Sequence, residues 1–356
     1  MGKFKVGRNS VGLLLAIWPT LWGHAQAAET AAEWRASGRY FTWKSTLPEN
    51  QGKTVQVFYT CMGDAAKPVI VMLHGFPTSS FDFRALIPLL QSDYRICTLD
   101  FPGYGVSDKP GAGYRYSLGD DAQLVWDFVT TVVPLKEFIL FSHDRADSVA
   151  LKLLQLYQAV PSPPFRITHQ FLTNANMYLP LANLTDFQKA MLDPNTSAAA
   201  AKSITPERLA VGLGSTQYSP PLKSDDPEVR ALAFNFVWQD GIPVIPATIQ
   251  YLNERMKFEV GFLETLSRSS VPVTLVWGFH DTVSPVRVAN YVWDTALKPR
   301  NAAASYWLVP CANHYLVHDQ PQDIARIMRL ALTNESPSTP QNLTTDICAP
   351  VLVDRH

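Results

Sequence analysis

A chain of 356 residues with 47% hydrophobic and 17% charged side chains can bury a large core, which excludes a disordered segment and a coiled coil. Lys and Arg (30) almost balance Asp and Glu (31), for a net charge of -1, and neither sign gathers into a block. That leaves no field for steering nucleic acid or holding an acidic membrane surface, so the expected partner is a small-molecule substrate.

The N-terminus comes first. Lys3, Lys5 and Arg8 precede an apolar run from Val11 to Gly23, and the small-residue signal Ala25-Gln26-Ala27 follows. The pattern predicts a signal peptide over 1–27, with the mature chain starting near Ala28 and exported to the periplasm or secreted. The run is about 13 residues, against the roughly 20 a spanning helix needs, and Pro19 interrupts it, so no stable membrane insertion is expected after cleavage. Four cysteines, Cys61, Cys97, Cys311 and Cys348, then enter an oxidising compartment. Bridges from Cys61 to Cys97 and from Cys311 to Cys348 are one reading, and four buried thiols are the other. No C-x-x-C pair is present, so no zinc site is expected.

From about Phe41 short β-rich runs alternate with helical patterns. The runs are Val55 to Tyr59, Val69 to Leu73, Tyr94 to Leu99, Phe138 to Phe141, Ile167 to Thr173, Val273 to Trp277 and Ser305 to Val309. Helices are expected over Leu118 to Val132, Ala146 to Gln158, Val286 to Ala296 and Gln322 to Leu332, with Ser117 and Asp120 forming an acidic capping box. This rhythm predicts an α/β fold with a mostly parallel, eight-stranded sheet covered by helices on both faces. It breaks between 177 and 262, where prolines punctuate short helical patterns, and resumes at Pro272. The core is therefore expected over 28–176 and 263–333, a helical cap over 177–262, and an extended tail over 334–356.

The run Phe138 to Ala146 ends an apolar strand and enters a helix, with small Ser142 and Ala146 two residues either side of Asp144. A nucleophile elbow makes this demand, because its sharp turn has no room for large neighbours. Here the central residue is Asp. A carboxylate attacks an sp3 carbon to give an alkyl-enzyme ester, and a general base must then activate water to cleave it. His314, after the last strand run, suits the base, and Asp281 in Trp277-Gly278-Phe279-His280-Asp281 suits the acid that orients it. Ser142 as nucleophile, His143 as a metal ligand, and His280 or His318 as the base are the competing readings. None of these schemes needs a cofactor or metal.

These motifs, with His74-Gly75-Phe76-Pro77 and Asp100-Phe101-Pro102-Gly103-Tyr104-Gly105-Val106-Ser107-Asp108-Lys109-Pro110, resemble the α/β-hydrolase superfamily in its aspartate-nucleophile branch of epoxide hydrolases and dehalogenases. The resemblance covers about Arg39 to Leu332. It implies an α/β-hydrolase fold and an oxyanion hole from the backbone N–H groups of Phe76 and Arg145. His74, Gly75 and Pro77 would shape the turn. Over the whole chain the sequence is most similar to the mesoderm-specific transcript group, through the Ser142-His143-Asp144 elbow with Asp147, Arg39 to Thr42, and Gln250 to Phe258.

The epoxide hydrolase resemblance implies a cap tyrosine that protonates the epoxide oxygen. Tyr251 is the leading candidate, then Tyr218 and Tyr178. The dehalogenase resemblance implies a halide donor, for which Trp238 stands in the cap, or substrate-carboxylate binding by Arg145, although the second arginine of that pattern is Ser148 here. A non-catalytic ligand-binding protein on the same scaffold would lack one of the three catalytic side chains, and all three are present.

Overall fold

The computed structural model describes residues 31–193, 195–335 and 347–356, so the expected signal peptide over 1–27 lies outside the described residues. Among these, nine strands form one sheet. They are β1 (Arg39–Lys44), β2 (Thr54–Met62), β3 (Val69–Leu73), β4 (Arg95–Leu99) and β5 (Glu137–His143). The second half supplies β6 (Arg166–Thr173), β7 (Val273–Gly278), β8 (Ala304–Val309) and β9 (Val351–Arg355). The order is β1-β2-β4-β3-β5-β6-β7-β8-β9, parallel from β4 through β8 and antiparallel at both ends.

Strand β3 shows why the sheet is sandwiched. Val69, Val71 and Leu73 join one apolar cluster while Ile70 and Met72 join the other, one on each face. Each fully buried side chain of this kind contributes about 1.5–3 kcal/mol. The sheet has nine strands where eight were expected, and the two strands outside the seven runs read from the sequence, β1 and β9, sit at the antiparallel edges. Strand β9 alternates exposed and half-buried residues, a pattern too polar at 334–356 to announce itself, and it converts the end of the expected tail into sheet.

Five helices precede or follow the first strands in chain order. They are α1 (Ala31–Ala36), α2 (Ile87–Leu90), α3 (Leu118–Asp127), α4 (Arg145–Ala159) and, after β6, α5 (Asp186–Leu192). The segment between β6 and β7 holds only helices, continuing with α6 (Ser197–Lys202), α7 (Pro206–Gln217), α8 (Pro227–Val237), α9 (Ile245–Thr248) and α10 (Tyr251–Arg268). Helix α10 runs past 262 without a break, because nothing between Tyr251 and Arg268 stops it. The Asp120 carboxylate does not close a capping box on α3. It accepts hydrogen bonds from Ser45 Oγ (2.6 Å) and Thr46 N (2.8 Å), and Glu254 of α10 accepts Leu118 N instead (2.8 Å).

Two disulfides reinforce the sheet. Cys61–Cys97 joins directly paired residues of β2 and β4, and Cys311–Cys348 ties the loop after β8 to the stretch before β9. No helix among the described residues is long and apolar enough to cross a membrane.

Candidate active site

Asp144 stands between β5 and α4 with φ 50° and ψ -114°. A non-glycine residue takes that left-handed conformation only where the surroundings impose it. Its N–H donates to Thr173 O on β6 (2.9 Å). Gly75 explains itself here: a Cβ on it would come within 2.8 Å of Asp144 Cβ. Ser142 turns away from the site, donating to Asp147 Oδ1 (2.5 Å) and Phe171 O (3.2 Å).

The N–H of Phe76 donates to Asp144 Oδ2 at 2.9 Å. Arg145 opens α4, so its own N–H belongs to the first turn, whose donors are free of the helical ladder. His314 Nε2 lies 4.0 Å from Asp144 Oδ1, and its Nδ1–H donates to Asp281 Oδ2 at 3.0 Å. Asp281 is fixed in turn by the N–H groups of Val283 and Ser284, both at 2.8 Å to Oδ1. All three side chains are buried.

Burial opposes a charge on His314, yet the Asp281 carboxylate beside it, aided by Asp144, raises its pKa to about 8. The sign matters twice. A raised histidine pKa stabilises the fold below the ordinary imidazole range, and that contribution is lost as pH rises through about 8. To act as a base His314 would have to be neutral, and an ester on Asp144 would remove one of the charges that keep it protonated. Hydrolysis of a covalent ester on Asp144 is therefore expected to rise with pH and level off before about pH 8. Single-turnover decay of the ester against pH checks this, and a rate independent of pH would contradict the base role.

His74 has a different job. Its Nδ1–H donates to Gly75 O (2.8 Å) and its Nε2 accepts Phe101 N (3.0 Å), while burial drives its pKa down to about 3. It is a neutral brace for the turn that presents Phe76, and Pro77 continues that turn. His143 contacts Thr173 Oγ1, His280 is exposed, and His318 packs against Tyr218. None of them approaches Asp144 as His314 does.

The cap candidates separate. Tyr251, at the start of α10, is buried, with its ring 5.7 Å from that of Phe76 and its hydroxyl without a partner. Burial, then the Asp144 charge, push the phenol well above its ordinary pKa, so it stays protonated. Tyr218 stacks on Tyr315 (4.5 Å), one residue past His314. Two expectations are corrected. Tyr178 stacks on Tyr291 (4.1 Å) instead of lining the site, and Trp238 lies under Arg35 of α1 (3.8 Å) with no part in the pocket. Both fall at helix ends, where one residue of register decides the direction of the side chain.

Arg145 departs from expectation as well. Its guanidinium is buried in an ion pair with Asp121 of α3 and ringed by Phe101, Tyr104 and Tyr251, so Asp147 is held by Ser142 and not by this arginine. The pocket beside Asp144 and His314 is walled by Phe76, Phe187, Leu213 and Val283, with the amides of Gln188 and Gln217. These cap residues carry no local signal in the sequence. Among the described residues no group of three or more His, Cys, Asp or Glu is arranged to hold a metal.

Residues 68–321 match the alpha/beta hydrolase fold family. The chain belongs to that family. Its relatives include LipZ of Mycobacterium tuberculosis, 30% identical over 82% of this chain and 94% of that protein. The mesoderm-specific transcript protein of Mus musculus is 29% identical over 73% and 76% of the two chains. Epoxide hydrolase 3 of Xenopus tropicalis is 22% identical over 86% and 82%.

Proposed function

We propose that this α/β-hydrolase opens small apolar epoxides through a covalent ester on Asp144. The observation that carries the reading is a carboxylate at the elbow with a protonated, unpartnered phenol, Tyr251, packed on Phe76 and within the electrostatic reach of Asp144. An Asp144 oxygen attacks a ring carbon, the carbon–oxygen bond of the ring breaks, and the departing oxygen takes the Tyr251 proton. His314 then removes a proton from water, whose oxygen adds to the ester carbonyl of Asp144. The N–H groups of Phe76 and Arg145 receive the resulting oxyanion; its collapse breaks the bond to the alkyl oxygen, which takes the proton held by His314 and leaves as the diol, and the proton of the newly formed Asp144 carboxyl returns to the Tyr251 phenolate. The apolar walls of Phe187, Leu213 and Val283 favour an uncharged substrate.

Tyr251→Phe removes the acid and keeps the ring. It is expected to slow ring opening roughly 100-fold while leaving ester hydrolysis intact. Pre-steady-state measurement of the two phases checks this, and equal slowing of both would remove Tyr251 from the role. A dehalogenase gripping halide through Trp238 gains no support, since that indole is engaged by Arg35.

A further inference from the structure

Arg255 lies one turn beyond Tyr251 on α10 and is 0% exposed. Its Nε donates to Ser148 Oγ in the first turn of α4 (2.7 Å), and its Nη2 donates to the carbonyl oxygen of Asp144 itself (3.1 Å). Among the described residues no carboxylate oxygen comes within 4.0 Å of its guanidinium, and its Nη1 has no partner. The buried Asp147 carboxyl of α4 interacts with it only across a longer gap, and a buried cation without a close ion pair is often replaced by an apolar residue of similar size at no cost in stability. Stability alone therefore does not account for it.

The position does. The elbow holds Asp144 at φ 50°, and within the backbone its carbonyl accepts only the Asp147 N–H (3.1 Å). We propose that Arg255 is a positioning residue that couples seating of the cap helix to the geometry of the nucleophile. Because Tyr251 and Arg255 are four residues apart on one helix, they share a face and move together. When α10 is seated on α4, the phenol packs on Phe76 beside the elbow and the guanidinium clamps the elbow carbonyl at the same moment. A cap that is not seated leaves the nucleophile loosely held and the acid absent, so ring opening waits for closure. This rests on the assignment of Asp144 as nucleophile for its catalytic consequence, but the clamp itself does not.

Two measurements separate these. The first is hydrogen exchange at the amides of residues 144–148 in wild type and in Arg255→Met. Faster exchange there, with the melting temperature unchanged or raised, is the expected result. Unchanged exchange, or a lowered melting temperature with unchanged elbow amides, overturns the proposal. The second is formation of the styrene oxide adduct on Asp144, followed by intact-protein mass in a His314→Gln background where the ester accumulates. Adding Arg255→Met is expected to slow adduct formation about 10- to 100-fold. Arg255→Lys keeps the charge but reaches only one of the two acceptors, and it is expected to give an intermediate rate at wild-type stability. An adduct rate equal to wild type in both variants overturns the proposal. If His314→Gln forms no adduct and wild type in heavy-oxygen water places no label in the Asp144 carboxylate, the nucleophile assignment fails, and exchange at the elbow still decides the part played by Arg255.

Discussion

Asp144→Asn is expected to lower epoxide turnover by at least about 10,000-fold, because the amide has the shape of the carboxylate without a nucleophilic oxygen anion. The fold should survive. The Phe76 N–H that donates to Asp144 Oδ2 can donate equally to an amide oxygen, and the backbone bond to Thr173 is untouched. The experiment records diol from a panel of epoxides, with circular dichroism to confirm folding. Single turnover of wild type in heavy-oxygen water supplies the complementary evidence, since the attacking water leaves its label in the Asp144 carboxylate. Residual turnover within tenfold of wild type, or no label, would sink the covalent scheme.

His314→Gln should behave differently at the level of intermediates. Overall turnover is expected to fall by about 100- to 10,000-fold, the usual span for a general base, while ring opening by Asp144 persists. The enzyme then stops as its own ester, detected as a mass increase equal to one substrate. The geometry underlies this split. His314 Nε2 sits 4.0 Å from Asp144 Oδ1, outside hydrogen-bond reach, so the nucleophile does not rely on it for activation. Loss of ring opening and hydrolysis together would mean that the histidine also serves the first step.

The parts of the site legible in the sequence are those where backbone geometry dictates residue type. The elbow needs Ser142 and Ala146 because the turn at Asp144 is crowded, and Gly75 is needed because any side chain would strike Asp144. The same strand-end logic located Asp281 and His314, each on a loop leaving a strand. Tertiary choices were not legible. Nothing local distinguishes Tyr251, which packs on Phe76, from Tyr178, which stacks on Tyr291, since both begin cap helices and differ only in what packs against them. Trp238 was drawn away by Arg35, a residue more than 200 positions distant. Strands β1 and β9 escaped notice in part for a related reason. Both are edge strands, and in β9 no clean alternation between core and solvent remains to be read.

The loop that carries His314 is braced from several directions. Asn174 Nδ2 donates to the carbonyls of Asn313 and His314, both at 2.8 Å, while its Oδ1 accepts Gly278 N at the end of β7. Asp319 accepts Asn313 N, and the Cys311–Cys348 bond anchors the near end of the loop. The cap is stitched to the same loop: Asn313 Nδ2 donates to Thr216 O (3.1 Å) and Tyr315 N to Gln217 O (3.2 Å), at the end of the helix that brings Leu213 to the pocket. The histidine is thus hung between sheet and cap, so a change that loosens either side is expected to be felt at the imidazole.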